Sequence, residues 1–230
     1  MFSVSVVTPV FNEEEIIESA IKTNLLLLKQ FNCDFEVVIV NDCSTDGSAM
    51  IIDRCFSNSA EIKIVHKPAN EGFGGAVKSG IAVASKDYIL CVPADSPLTS
   101  EVLEVFIKAA GKADIVVSYR LERLGYTWRM KVNSKVFHFL VSKLFDIQFR
   151  DFNWIHMYSR RIFSIGGIEI RSKGLFMLAE VLIAAKRKGF SFYEIPVQQT
   201  QRATGIATAS KLSTLINTLR EIAVYYYGGG

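Results

Sequence analysis

The sequence has 230 residues, half of them hydrophobic and 21% charged, a composition typical of a globular protein with a full core. The net charge of +3 is too small to indicate nucleic-acid binding. The four cysteines form no Cys-x-x-Cys pair, so we expect reduced thiols and a cytoplasmic location. We find no signal peptide and no apolar run of the roughly eighteen residues that a membrane span needs. We expect one domain, residues 1–230.

The first element is an apolar, β-rich run at residues 3–8 that ends at Pro9. We expect Asn12 to cap a following helix and the glutamates at 13–15 to fill its first turn, where the helix dipole favours negative charge. Capping alone would explain the glutamates. It explains the whole strand-to-helix loop less well.

Strands and helices then alternate along the chain. The run at 35–40 is apolar throughout, which is typical of a strand buried on both faces of a parallel sheet. Asp42 follows it, and Ser44 or Thr45 is expected to cap the next helix. Further strands are predicted at 62–66, 87–92 and 114–118. This alternation predicts a doubly wound α/β fold with right-handed crossovers.

A glycine-rich turn and a lone carboxylate lie on either side of the fourth strand. Gly72, Gly74 and Gly75 follow the third strand, whereas a dinucleotide-binding fingerprint follows the first, so we exclude that motif. Asp95 lies just after the fourth strand. Ligands of open α/β sheets bind beyond the carboxyl ends of strands, and Asp95 there is well placed to hold a metal and a diphosphate.

Three segments together resemble a known family. Residues 7–14 (VTPVFNEE), 40–48 (VNDCSTDGS) and 70–76 (NEGFGGA) resemble, in order and spacing, the nucleotide-sugar half of the inverting family 2 glycosyltransferases. The likeness is closest to dolichyl-phosphate mannose synthases and related polyprenyl-phosphate glycosyltransferases. It extends to about residue 219, through segments at 117–120, 151–160, 194–197 and 202–211.

The resemblance implies a GT-A fold, a Rossmann-like and mostly parallel sheet flanked by helices. It implies a nucleotide-sugar-binding half, 1–120, and an acceptor-binding half, 121–230. The residues that it places at the donor are Pro9, Asn12, Glu13, Asp42, Asn70, Gly72 and Gly74. In this arrangement Asp42 accepts a hydrogen bond from the nucleobase, while the glycines let the chain pass close to the sugar nucleotide.

On the acceptor side, the resemblance implies a polyprenyl phosphate or another lipid. Basic residues are candidates to grip its phosphate, because guanidinium groups form bidentate phosphate contacts. The acceptor candidates are Arg120, Arg129, Arg202 and Lys211, with Ser134 as a hydrogen-bond donor.

Asp95 is the candidate catalytic and metal-binding carboxylate, for Mg²⁺ or Mn²⁺. The family pattern at this point is Asp-x-Asp followed by Gln, and this sequence has Pro93 and Pro97 instead. Proline offers no side-chain ligand, so we expect weak metal binding. A catalytically impaired homologue is the alternative.

The segment 128–149 combines aromatic, aliphatic and lysine residues at helical spacing. Val132, Val136 and Phe139 share one face. One interpretation is a helix packed on the sheet, and the other is an amphipathic interfacial helix on a bilayer. The second implies a protein peripheral to the cytoplasmic face of a membrane.

Three functional hypotheses follow. The first is a transferase that moves a hexose from GDP-mannose or a UDP-sugar to a polyprenyl phosphate. The second is a transferase to a hydroxyl acceptor, which needs a general base that we do not recognise. The third is a nucleotide-sugar-binding regulator or scaffold whose metal site is impaired.

Overall fold

The structure is a computed structural model and describes residues 2–122, 125–198 and 212–228. Within them, one sheet has the strand order β3-β2-β1-β4-β6-β5-β7. The strands are β1 (Ser3–Val10), β2 (Asp34–Asn41), β3 (Ile62–His66), β4 (Tyr88–Cys91), β5 (Ile115–Arg120), β6 (His156–Ser159) and β7 (Phe192–Val197). The helices are α1 (Ile17–Gln30), α2 (Ser48–Phe56), α3 (Gly72–Val83), α4 (Ser100–Ala109), α5 (Trp128–Phe145), α6 (Arg161–Ser164), α7 (Phe176–Arg187) and α8 (Leu212–Tyr227).

The sheet is mostly parallel, as the sequence predicts. β1 pairs in parallel with β2 and β4, β2 pairs in parallel with β3, and β5 does so with β7. The exception is β6, which lies antiparallel between β4 and β5. The sequence analysis did not predict β6. Its insertion brings the first four strands and the second half of the chain into one sheet.

Helices cover both faces of the sheet. Val38 and Val40 of β2 face one apolar cluster, and Val37 and Ile39 face the other. All four are fully buried, which accounts for a strand without polar alternation. Gly80 of α3 packs on β1, because a Cβ there would lie 2.3 Å from Cγ1 of Val7.

Helix α5 packs against the core on one face and exposes apolar residues on another. Phe137, Val141 and Phe145 are buried in the core. Val132, Val136 and Phe139 on another face are 47%, 45% and 61% exposed. Across the described residues, no helix is both long enough and apolar enough to cross a bilayer.

Candidate functional site

The loops after β1 and β2 are bonded to each other. Oδ1 of Asn12 accepts a hydrogen bond from the backbone N–H of Thr45 at 2.8 Å, and Oγ of Ser44 accepts one from the N–H of Asn12 at 3.1 Å. The expectation that Asn12 caps the next helix is wrong, since α1 begins at Ile17 without a side-chain cap. Ser44 and Thr45 do not cap α2 either, because its N-cap is Gly47.

The glutamates after Asn12 also serve this contact. Oε2 of Glu14 accepts the N–H of Gly47 at 2.6 Å, and the N–H of Glu13 donates to Oγ of Ser48 at 2.8 Å. Residues 13–15 therefore lie in a turn before α1, not in its first turn as predicted. The partners of the Glu13 N–H and the Glu14 carboxylate are more than thirty residues away along the chain, so local capping rules could not identify them.

Asp42 holds the glycine-rich turn. Its side chain is almost fully buried, and its two oxygens accept the backbone N–H groups of Glu71 at 3.0 Å and Gly72 at 2.8 Å. The ammonium group of Lys67 lies 4.0 Å from the same carboxylate. Asp42 thus fixes the position of the turn. Its predicted contact with a nucleobase remains a prediction.

The glycines of the turn are required by another loop. A Cβ on Gly74 would lie 1.9 Å from the carbonyl oxygen of Ser172, and one on Gly72 would lie 2.6 Å from that of Lys173. Gly72 also has a φ of +77°, which strains other residues. Both positions therefore require glycine because the backbone of residues 171–174 passes close to them. The approach of a sugar nucleotide would be an additional reason.

Two carboxylates hold that second loop. Glu180, fully buried on α7, accepts the N–H groups of Arg171 and Ser172 at 2.9 Å each. Glu221, on α8, accepts those of Lys173 and Gly174 at 2.9 and 2.7 Å. Burial raises the pKa of Glu221. The sequence analysis missed Glu221, because nothing local to α8 indicates the loop that it binds.

These loops enclose a cavity of about 710 Å³ beyond the carboxyl ends of β1, β2 and β4. The lining contains six of the predicted site residues: Pro9, Glu13, Asp42, Asn70, Gly72 and Asp95. Glu221 and Arg220 of α8 line the opposite wall. We call this space the larger cavity.

A second space of about 190 Å³ adjoins the larger cavity. The residues common to both linings are Phe73, Pro93, Asp95, Leu175 and Thr214. Arg120 and Ser134, two of the predicted acceptor residues, line this smaller cavity. Asn12, Gly74 and Arg129 line neither cavity. Arg202 and Lys211 lie outside the described residues, so their predicted roles are not addressed.

Arg120 is largely committed to other protein groups. Its Nε and Nη2 donate to the carboxylate of Asp151 at 2.8 and 3.2 Å, and its Nη1 donates to the hydroxyl of Tyr126 at 2.8 Å. The guanidinium also lies 4.7 Å from the ring centroid of Trp154. An arginine has five N–H donors, and two of these are not bonded to any other described residue.

The described residues alone do not form a metal site, because they contain no group of three metal-ligating side chains. Asp95 lines both cavities, with Pro93 beside it. One carboxylate is too few for a dedicated cage, but Mg²⁺ is commonly held by one or two carboxylates together with substrate phosphates and water. Asp95 therefore fits a cation that arrives with a diphosphate.

A model of glycosyl transferase family 2 matches residues 5–165, more than half of the chain. The chain belongs to this family. The match confirms the resemblance to family 2 that the sequence motifs indicate.

Two relatives of this family 2 member extend the comparison. An uncharacterized glycosyltransferase of Synechocystis sp. is 29% identical over 145 residues, which are 63% of this chain and 46% of the relative. The undecaprenyl-phosphate 4-deoxy-4-formamido-L-arabinose transferase of Proteus mirabilis is 24% identical over 221 residues, which are 95% of this chain and 66% of the relative. The chain thus spans about half to two thirds of the length of these relatives.

Solved glycosyltransferases share the fold. Glucosyl-3-phosphoglycerate synthase from Mycobacterium tuberculosis, solved with Mn²⁺, UDP and glucosyl-3-phosphoglycerate, matches with a TM-score of 0.73 at 17% identity, over 99% of this chain and 80% of that one. TarS 1–349 of S. aureus matches with a TM-score of 0.60 at 18% identity, over 97% and 65% of the chains. The predicted GT-A fold is confirmed.

Proposed function

We propose that this chain transfers a hexose from a nucleotide sugar to a polyprenyl phosphate, with inversion at the anomeric carbon. The observation that carries the proposal is the polar lining of the smaller cavity, where Arg120 and Ser134 lie and Asp95 is the only carboxylate among the described lining residues. A hydroxyl acceptor needs a base, whereas a phosphate monoester is already ionised near pH 7. A cavity that is lined by the guanidinium of Arg120, and by no carboxylate besides Asp95 among its described residues, suits a phosphate acceptor.

The larger cavity is the proposed donor site. Pro9 and Glu13 flank the nucleoside, and Asp42 and Asn70 lie at the carboxyl-terminal edge of the sheet beside them. Asp42 has both oxygens bonded to backbone N–H groups, but each carboxylate oxygen has a second lone pair. It can therefore still accept an N–H of the base. GDP-mannose and UDP-hexoses are the donor candidates.

In the proposed reaction, an oxygen of the lipid phosphate attacks the anomeric carbon while the bond from that carbon to the nucleoside diphosphate breaks. The chain has two tasks, to align the phosphate behind the sugar and to stabilise charge on the leaving diphosphate. The two remaining N–H groups of Arg120 serve the first task, with Ser134, Arg129, Arg202 and Lys211 as further candidates. No proton has to be removed from the acceptor.

A divalent cation is proposed only as a companion of the donor. Mg²⁺ or Mn²⁺ would be held by Asp95 and the diphosphate oxygens, and would neutralise charge on the leaving group. We expect calorimetry to show no binding of either metal to the chain alone. With a nucleoside diphosphate present, metal should tighten binding, and Asp95→Asn should abolish that dependence.

Helix α5 is the proposed contact with the lipid surface. It lines the smaller cavity through Ser134 and Phe137, and its exposed strip, Val132, Val136 and Phe139, has Lys131 and Lys135 beside it. Apolar residues flanked by lysines suit an anionic bilayer. The relative from Proteus mirabilis is named as an undecaprenyl-phosphate transferase. We propose that the chain is peripheral to the cytoplasmic face of a membrane.

The test is transfer of labelled sugar from GDP-mannose, UDP-glucose and UDP-N-acetylglucosamine to undecaprenyl phosphate in detergent. We expect one donor to label the lipid phosphate, and no labelling of undecaprenol, which lacks the phosphate. Asp95→Asn should lower the rate by about 100-fold. Asp53→Asn, on the exposed surface of α2, is the matched control and should keep the rate.

Two outcomes would replace this proposal. Transfer to undecaprenol or to a sugar hydroxyl, but not to the lipid phosphate, would establish a hydroxyl acceptor. Binding of a nucleotide sugar that is indifferent to metal, without transfer to any acceptor, would support a regulatory or scaffold protein. The missing group of metal ligands among the described residues is the observation that favours this last alternative.

A further inference from the structure

Two neighbouring side chains in the wall of the smaller cavity each carry a buried polar atom with no hydrogen-bond partner among the described residues. They are the indole Nε1 of Trp154, a donor, and the amide Oδ1 of Asn153, an acceptor. Leaving a buried polar group unpaired is unfavourable by about 1–3 kcal/mol. In native structures such groups call for a partner that is not part of the chain.

Hydrogen bonds hold the backbone on either side of these side chains. The N–H of Asn153 donates to Oδ1 of Asp151 at 3.1 Å, and the carbonyl oxygen of Ile155 accepts the hydroxyl of Ser118. The Trp154 ring is covered by the guanidinium of Arg120. The unpaired atoms therefore belong to a segment whose backbone is held by hydrogen bonds, and the indole of Trp154 is in addition held by its contact with Arg120.

The space beside this wall is open to the donor side. The smaller cavity, about 190 Å³, has roughly six times the volume of one liquid water, about 30 Å³. It shares Asp95 and Pro93 with the larger cavity. A group attached to a diphosphate at Asp95 would enter the smaller cavity next, and in a nucleotide sugar that group is the sugar.

We propose that Trp154 and Asn153 recognise one hydroxyl group of the donor's sugar. The hydroxyl oxygen accepts the indole N–H, and the hydroxyl proton is donated to the amide oxygen. A hydroxyl is a donor and an acceptor at once, whereas a phosphate oxygen would meet Oδ1 of Asn153 as a second acceptor. This assignment rests on the proposed function and makes the two residues determinants of sugar specificity.

The first experiment compares nucleotide and nucleotide-sugar binding by calorimetry, with UDP, UDP-glucose, GDP and GDP-mannose in the presence of Mg²⁺. Trp154→Phe keeps an aromatic ring under Arg120 and removes the N–H together with the pyrrole part of the indole. We expect it to weaken binding of the preferred nucleotide sugar by about three- to tenfold, as for one lost hydrogen bond. Affinity for the matching nucleoside diphosphate should stay within about twofold.

The matched control is Trp128→Phe, because Trp128 is the other of the two tryptophans and is 70% exposed on α5. It should leave both affinities unchanged. The Trp128→Phe protein also has Trp154 as its single tryptophan, whose emission can be excited selectively at wavelengths that tyrosine does not absorb. Its emission should shift with the nucleotide sugar, where the indole gains a partner, and should not shift with the nucleoside diphosphate.

The outcomes separate this inference from the proposed function. If Trp154→Phe weakens both ligands equally, or neither, the assignment of Trp154 to the sugar is wrong while nucleotide binding stands. If the wild-type chain binds none of the four ligands, the proposed function fails and the assignment fails with it. Thermal unfolding of Trp154→Phe, expected within a few degrees of wild type, checks that the wall is intact.

Discussion

At the scale of single residues, Gly74 has the least room for a Cβ among the described glycines. A Cβ there would lie 1.9 Å from the carbonyl oxygen of Ser172, which belongs to a loop held by Glu180. We therefore expect Gly74→Ala to lower the free energy of unfolding by about 2–3 kcal/mol, the upper range for overpacking. Urea unfolding followed by circular dichroism measures the change.

Gly47→Ala is the matched control for this substitution. Its Cβ would lie 2.7 Å from Oε2 of Glu14, the far end of a flexible side chain that can move away. The loss should stay near the net value of one hydrogen bond, about 1 kcal/mol. If Gly74→Ala lowers the free energy of unfolding no more than Gly47→Ala does, the backbone of residues 171–174 can move away from the added Cβ despite its hydrogen bonds.

Arg120 gives a second prediction at this scale. It forms a buried ion pair with Asp151, so Arg120→Gln removes the positive charge beside a buried carboxylate. We expect a loss of about 3 kcal/mol of stability in urea unfolding. Arg161→Gln removes an ion pair of Asp114 whose arginine is 60% exposed, and should cost less than about 1 kcal/mol.

The comparison of these two arginine variants separates a structural from a ligand-binding role. A stable Arg120→Gln protein that had lost transfer to lipid phosphate would contradict the structural role of the ion pair. It would assign Arg120 to the acceptor alone. Loss of stability in Arg120→Gln with an unaffected Arg161→Gln is the expected result.

Residues at strand ends were predictable, and their partners were not. Asp42, Asn70 and Asp95 follow buried strands or precede a glycine turn, so local pattern places them at one edge of the sheet. Asn12 looked like a helix cap by the same local rules. Its true partner, Thr45, is brought near by the parallel pairing of β1 and β2, which single-sequence patterns do not contain.

At the scale of elements, α5 carries a prediction about membranes. Phe139→Glu places a charge on its exposed strip, and we expect about tenfold weaker co-sedimentation with vesicles rich in anionic lipid. Leu26→Glu, at a residue 63% exposed on α1, is the matched control and should bind vesicles as wild type does. Equal binding of all three proteins would contradict the interfacial interpretation of α5.

The burial of α5 on one side also shows what the helical pattern could and could not predict. Its residue types suggested either a packed helix or an interfacial one. The buried face fits the packed helix, and the interfacial interpretation of the exposed face remains a prediction. Strand β6 was missed for another reason. It has only four residues, and its place between β4 and β5 depends on pairing that local sequence does not specify.

At the scale of the whole molecule, His156 links stability to pH. The residue lies on β6 in the middle of the sheet, fully buried, and burial lowers its pKa from 6.5 to about 4. Its Nδ1 accepts the N–H of Ser118 at 3.3 Å, and its Nε2 lies 3.3 Å from the carbonyl oxygen of Phe152. These contacts suit a neutral ring whose Nε2–H donates.

The sign of the effect follows from proton linkage. Between pH 6.5 and 4 the unfolded chain binds a proton at this histidine and the folded chain does not, so stability falls as pH falls through that window. The full shift corresponds to roughly 3 kcal/mol. Glu221 acts in the opposite direction, because its raised pKa makes the folded state bind a proton more readily than the unfolded one.

Urea unfolding of wild type and His156→Gln at several values between pH 7 and 5 separates the two effects. The variant is expected to be less stable at pH 7, because it disturbs the contacts with Ser118 and Phe152, but to lose less stability on acidification. Met157→Leu, one residue along β6, disturbs packing without removing a titrating group and should keep the wild-type slope. Parallel slopes for wild type and His156→Gln would show that another group causes the pH dependence. A shallower slope in His156→Gln alone would identify the buried histidine that joins the two halves of the sheet.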